Sequence, residues 1–175
     1  MQRLVVSSRR PPDLDVRPTD DTLGWDKDSA KGELSKVIGQ MAFIQHRLMA
    51  EANQSLLIIL QGRDASGKDG LVRHVMTGMN PAGVRVVNFK VPAGVERMHD
   101  YLWRVHASCP ARGEVGVWNR SHYEDILVPR VKNLVADDVW RRRYRHVREF
   151  EQMLVDEGTT VVKFYLHVSH EVQRQ

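Results

Sequence analysis

Cysteine is almost absent from this chain of 175 residues: Cys109 is the single thiol, so no intramolecular disulfide can form and a reducing cytoplasm is the expected compartment. Long apolar runs are missing too. The longest, Leu56 to Leu60, is far short of a membrane span. The N-terminal "MQRLVVSSRRPPDLDVRP" has no apolar core followed by a small-residue cleavage site and does not read as a signal peptide. Aromatics are sparse, with four phenylalanines and four tyrosines and no run of them interleaved with basic residues. That argues against stacking on nucleic acid. Charge of one sign is scarce as well. The net +4 left by 26 basic and 22 acidic side chains permits a polyanionic partner without requiring one.

What the sequence does have is alternation. Apolar segments at Ser55–Gln61, 84–89, 114–119 and 159–168 read as strands, and the stretches between them, about 68–79, 95–107, 121–134 and 138–157, carry helical patterns. Asp137 and Gly158 are the expected caps of the last helix, and Ser169 that of a further one. Strands that are apolar throughout predict an α/β fold, a parallel sheet covered on both faces. Ahead of the first strand, Leu34, Val37, Ile38, Met41, Leu48 and Met49 predict a long helix over about 31–53. Residues 1–30, with Pro11, Pro12 and Pro18, read as an extended arm, leaving 31–175 as one domain.

The chemistry concentrates in "GRDASGKDG", residues 62–70. Gly62, Gly67 and Lys68 match G-x-x-x-x-G-K between a buried strand and a helix, the setting in which that pattern cradles phosphate. Glycines let successive N–H groups face one anion, and the helix N-terminus and Lys68 add positive charge. A tight strand-to-helix turn with no ligand is the plainer alternative. The usual Ser or Thr after the lysine is replaced by Asp69, and Asp64 sits inside the loop. A carboxylate about 4 Å from a phosphate charge is repelled by roughly 4 kcal/mol at a partly screened dielectric, unless a cation lies between them. Mg²⁺ favours one or two carboxylates, water and phosphate oxygens. Asp64 is therefore the expected metal ligand. Asp69 either supports the site or merely complements the helix N-terminus.

"GVWNRSHYED", 116–125, ends the third strand on the rim where ligands of parallel sheets bind. Asn119 stands where many phosphate-loop proteins have a metal-holding acid, as though that acid had moved to Asp64. Arg120 suits clamping phosphate or neutralising a transferring phosphoryl group. His122 reads as a nucleotide contact or a hydrogen-bonded loop histidine. The arginines at 141, 142, 145 and 148 read equally as a polyanion surface or a solvated face. The eight histidines lack the spacing of a zinc site.

Together, "EANQSLLIILQGRDASGKDG", "FKVP", "HDYLWRVH", "RGEVGVWNRSHYEDILVPRV", "RRYRHVREFEQML" and "GTTVVKFYLHVS" resemble, in order, the polyphosphate kinase 2 family. "NRSHYEDILV" looks most like the class acting on nucleoside mono- and diphosphates. The resemblance implies a P-loop kinase-like three-layer sandwich. It also implies reversible, Mg²⁺-dependent phosphoryl transfer between inorganic polyphosphate and AMP or ADP, with ATP among the nucleotides bound. By the same resemblance Asp64, Lys68 and Arg120 are catalytic. Gly62, Arg63, Ala65, Ser66, Gly67, Lys68, Asp69, Gly70, Lys90, Asn119, Tyr123, Glu124 and Arg130 bind phosphate or nucleotide. A homo-oligomer is suggested; nucleic acid and membrane are not expected partners. The family continues past Gln175 with a helix, a basic lid, a strand and closing helices, so the chain is expected to cover only the P-loop half of the fold. An ATP-using small-molecule kinase and a non-catalytic polyphosphate-binding fragment are the competing readings.

Overall fold

The structure, a computed structural model, describes residues 4–7 and 11–174. Positions 1–3 and 8–10 of the expected arm, and Gln175, lie outside the described residues. Among the described residues no helix is long and apolar enough to cross a membrane.

The first helix, α1, spans Lys27–Glu51, starting earlier than the apolar spacing predicts. Asp26 sets the start: its carboxylate accepts from the backbone N–H of Asp28 and of Ser29, each at 3.0 Å, and so satisfies donors that a helix end leaves open. The last residues of the expected arm are thus helical. At the other end Ala52 turns left-handed, at φ 46°, and its N–H closes on Leu48 O.

Four strands follow, β1 (Ser55–Gly62), β2 (Val84–Val87), β3 (Val115–Asn119) and β4 (Thr159–Leu166), in the sheet order β2-β3-β1-β4. All pairings are parallel, with Leu60 opposite both Asn119 and Phe164. Because β1 is inside the sheet, both of its faces must be apolar. Leu57 and Ile59 pack with Phe89, Val105, Trp118, Phe150 and Leu154 on one side. Ile58 and Leu60 pack with Val115 and Val117 on the other, covered by Leu48 of α1 and by Leu71, Val72 and Met76.

Those last three belong to α2 (Lys68–Met76). The helix expected over 95–107 is instead broken into a 3₁₀ turn, Gly94–Met98, and the one-turn α3, Trp103–His106. His99 is extended, and Asp100 Oδ1 takes the Leu102 N–H at 2.9 Å, an aspartate turn that competes with a continuous helix. The helix α4 (Glu124–Val131) starts three residues later than expected, because Ser121 Oγ accepts the Tyr123 N–H in a turn. The helix α5 (Asp137–Asp156) buries Trp140, Val147, Phe150 and Leu154. Asp137 is not its cap; it lies in the first turn and accepts from Trp140 Nε1 at 3.1 Å. Arg141, Arg142 and Arg145 are exposed and face Asp137, Asp138 and Glu149 one turn away, the arrangement of a solvated face. Ser169 does cap α6, His170–Gln173.

The sheet's centre predicts the fold's weak point. Leu57 is fully buried, so Leu57→Ala should cost about 2–5 kcal/mol in urea unfolding, with an unchanged denaturant slope. A loss below about 1 kcal/mol contradicts this placement of the core.

Candidate active site

β1 and β3 are neighbours in register, so their C-terminal ends deliver the loop 62–68 and the pair Asn119–Arg120 to the same rim. The loop is shaped by close approach. A Cβ at Gly62 would stand 2.6 Å from Ser66 Oγ and 3.0 Å from the Leu166 carbonyl oxygen of β4, so the Ser66 side chain and the β4 backbone would both have to shift. Gly67, at φ 85°, forms the N-cap of α2 in the left-handed region, which glycine enters without a Cβ penalty. Ala65 and Arg120 are also left-handed, at φ 58° and 68°. For residues that have a Cβ this costs free energy and is characteristic of functional turns.

Lys68 curls over the loop. Its ammonium donates to the carbonyl oxygens of Gly62 and Arg63, both at 2.9 Å, and to Ser66 Oγ at 3.2 Å. Burial, then the neighbouring Arg120, lower its pKa; Asp64, Glu124 and Asp69 pull the other way. The buried Asn119 donates its amide N–H to Asp69 Oδ1, tying the first turn of α2 to the end of β3. Arg120 Nη2 lies 3.2 Å from Asp64 Oδ1, and the Asp64 side chain is 86% exposed.

A cleft of about 470 Å³ opens here, lined by Ala65, Ser66, Gly67, Lys68, Asp69, Asn88, Lys90, Asn119 and Arg120. Eight of these nine are residues that the sequence singles out. Asn88 was missed: nothing local distinguishes an asparagine at a strand end from a turn residue. Gly62 and Asp64 do not line the cleft but touch residues that do: the Gly62 carbonyl accepts from Lys68, and the Asp64 carboxylate faces Arg120. Arg63 turns outward to His170, with Nη1 3.0 Å from Nε2. Gly70 lies on the first turn of α2, and Glu124, half-buried, is electrostatically coupled to Arg120 and Lys68.

Two expected residues lie elsewhere. The Tyr123 hydroxyl donates to Glu151 Oε1 at 3.0 Å and accepts from Lys163 Nζ at 3.2 Å, on the α5–β4 side. Arg130 lies over the Trp140 ring, 4.7 Å from its centroid. His122 lies in the turn before α4 and follows the second of its readings, a loop histidine, rather than a nucleotide contact. It is fully buried among Trp118, Tyr123 and Phe150, and its Nε2 is 3.3 Å from Glu151 Oε1, a contact that helps lower the Glu151 pKa against the effect of burial. The Cys109 thiol, pushed up to about 11 by burial, is no nucleophile at neutral pH.

A parallel sheet with helices on both faces and a glycine-rich loop leading from its central strand into a helix is the P-loop kinase-like fold. Comparison with known proteins narrows this. The family model described as Polyphosphate kinase 2 matches residues 24–175. The chain is 52% identical over 158 residues to an AMP/ADP-polyphosphate phosphotransferase of Meiothermus ruber, covering 89% of this chain and 59% of that protein. It is 40% identical to an ADP-polyphosphate phosphotransferase of Rhodopseudomonas palustris, covering 79% and 52%. The crystal structure of polyphosphate kinase 2 from Arthrobacter aurescens superposes with a TM-score of 0.92 at 37% identity, over 99% of this chain and 62% of that one. The chain therefore belongs to the polyphosphate kinase 2 family, and spans little more than half the length of these two curated relatives.

The electrostatics of the cleft give a pH signature. Burial raises the Glu124 carboxyl above its ordinary 4.5, reinforced by Asp64 and Asp125 and opposed by Arg120 and Lys68. Stability carried by its protonated form is then fully present below that ordinary value and is lost as pH rises through the raised one. Glu124→Gln should unfold at the same temperature as the parent at about pH 4 and at a higher temperature at about pH 7. A gap confined to acid pH contradicts this.

Proposed function

We propose that the protein is a phosphotransferase that moves the terminal phosphoryl group between inorganic polyphosphate and AMP or ADP, in either direction. The observation that carries this is the convergence of Lys68, Lys90 and Arg120 with the loop residues on one cleft, in a chain of this family. Three cations and a helix N-terminus make a site for several phosphates rather than one. Nucleotides and polyphosphate are the partners we assign, in the cytoplasm, with residues from α1 onward acting as the kinase domain.

The donor set fits Mg²⁺. Asp64 offers an exposed carboxylate beside the cleft and Asp69 a second one held by Asn119. Among the described residues no group of three or more His, Cys, Asp or Glu gathers. A protein share of one or two carboxylate oxygens, with water and phosphate completing the set, is the arrangement Mg²⁺ prefers. Asp64 would hold the ion, with Asp69 in support. Bound there, Mg²⁺ would neutralise charge on the phosphate oxygens.

The protein's own residues then have defined tasks. Loop N–H groups and Lys68 hold the phosphates, which requires the Lys68 ammonium to exchange the carbonyls of Gly62 and Arg63 for phosphate oxygens. Arg120, released from Asp64, meets the charge that spreads over the transferring group. The acceptor phosphate is already an anion, so no general base is needed, and alignment supplies much of the rate.

With AMP or ADP, long-chain polyphosphate and Mg²⁺, the protein should form ADP or ATP. Asp64→Asn should lower Mg²⁺-dependent kcat by about a hundredfold or more. Lack of product from the parent protein, or full activity in Asp64→Asn, contradicts the respective claim.

A further inference from the structure

Arg104 is buried, with 8% of its side chain exposed, on the one-turn helix α3. Its Nη donors are turned inward, onto protein partners. Nη2 donates to both carboxylate oxygens of the buried Asp125, at 2.9 and 3.1 Å. Nη1 donates to the backbone carbonyl of Lys90 at 2.7 Å and lies 3.4 Å from Glu96 Oε2. The guanidinium stands over the Phe89 ring, 5.5 Å from its centroid.

Two of these partners tie the cleft's surroundings together: Lys90 lines the cleft, and Asp125 adjoins Glu124, which interacts with Lys68 and Arg120. Lys90 and Asn88 lie on the chain after β2, which has no regular structure from Asn88 to Ala93. Asp125 is the second residue of α4 and follows Glu124, which is coupled to Lys68 and Arg120. Of the cleft's three cations, Lys68 opens α2 after the loop from β1, Arg120 follows β3, and Lys90 alone comes from the β2 side. A lysine on an irregular segment is positioned only if its backbone is held, and here the holder of its carbonyl is a guanidinium anchored by a bidentate carboxylate.

We propose that Arg104 is a positioning residue, which pins the backbone of Lys90 to the start of α4 and thereby sets the Lys90 ammonium opposite Lys68 and Arg120 for polyanion binding. The planar fork is essential to this role: it spans Asp125 and the Lys90 carbonyl at once, whereas a lysine's single nitrogen cannot meet both in the same geometry. The proposal rests on the reading of the cleft as a polyphosphate site.

A double-mutant cycle tests it, with inorganic tripolyphosphate as the probe, binding measured by calorimetry at low ionic strength, and folding checked by thermal unfolding. Lys90→Ala should weaken binding about tenfold, the size of one charge-assisted phosphate contact. Arg104→Lys should weaken it by a similar factor. The double variant should bind no more weakly than Lys90→Ala alone, because Arg104 acts only through Lys90. Asp125→Asn, which loosens the same clamp with little change of shape, should show the same non-additivity and serves if Arg104→Lys does not fold. If Arg104→Lys weakens binding by the same factor with and without Lys90, Arg104 is a general stabiliser and the proposal fails. If Lys90→Ala leaves affinity unchanged while the parent binds, the assignment of Lys90 fails and the proposal with it. If the parent does not bind tripolyphosphate at all, the reading of the cleft itself is wrong.

Discussion

Everything at the rim depends on the burial of β1 between β3 and β4. A strand paired on both edges and packed on both faces has one course left at its C-terminal end, which is to leave the sheet through a tight turn. The register fixes what it meets there. Leu60 stands opposite Asn119, and Gly62 opposite Leu166. The β4 carbonyl so close to Gly62 is the reason the turn begins with a glycine. The loop's shape is therefore imposed from the sheet outward, and the left-handed turns at Ala65, Gly67 and Arg120 are held by packing that has already been satisfied elsewhere.

On that frame the charges are arranged in mutual restraint. Lys68 is occupied by loop carbonyls, Arg120 by Asp64, and Asp69 by Asn119. Burial nonetheless works against the charged forms of both Lys68 and Glu124. Lys68 and Arg120 repel one another, and the contacts that offset this are exposed, as Arg120–Asp64 is, or made with backbone oxygens. Such a site gains most from a ligand that brings several negative charges at once. The two carboxylates that look out of place in a phosphate loop act here as counter-charges: Asp64 faces Arg120, Asp69 is held by Asn119, and both act on Lys68.

The sequence made visible what local pattern determines. The apolar stretch Leu56 to Leu60, flanked by Gly62 and followed by Gly67-Lys68, places a buried strand and a phosphate loop without any knowledge of neighbours. Ser169 as a cap is local in the same way. Side-chain direction at the second motif is not local. Tyr123 was expected at the site from the family resemblance, yet Glu151 and Lys163 draw its hydroxyl to the α5–β4 side. Arg130 is drawn onto Trp140, and Arg104 meets Asp125 across 21 positions of sequence. Such contacts depend on how helices pack against the sheet, which periodicity does not report. The broken helix at His99 and Asp100 failed for a smaller reason: one aspartate side chain captured a backbone N–H.

The central claim is that backbone N–H groups of the loop 62–68, shaped by the buried strand behind them, bind the phosphates. Amide chemical shifts followed by nuclear magnetic resonance during titration with tripolyphosphate test it directly. The account predicts saturable shifts concentrated at Ser66, Gly67, Lys68 and Asp69, with smaller ones at Arg120 and Lys90 and none at α1. Saturable shifts confined to the arginine-rich face of α5, with the loop amides unmoved, would contradict it.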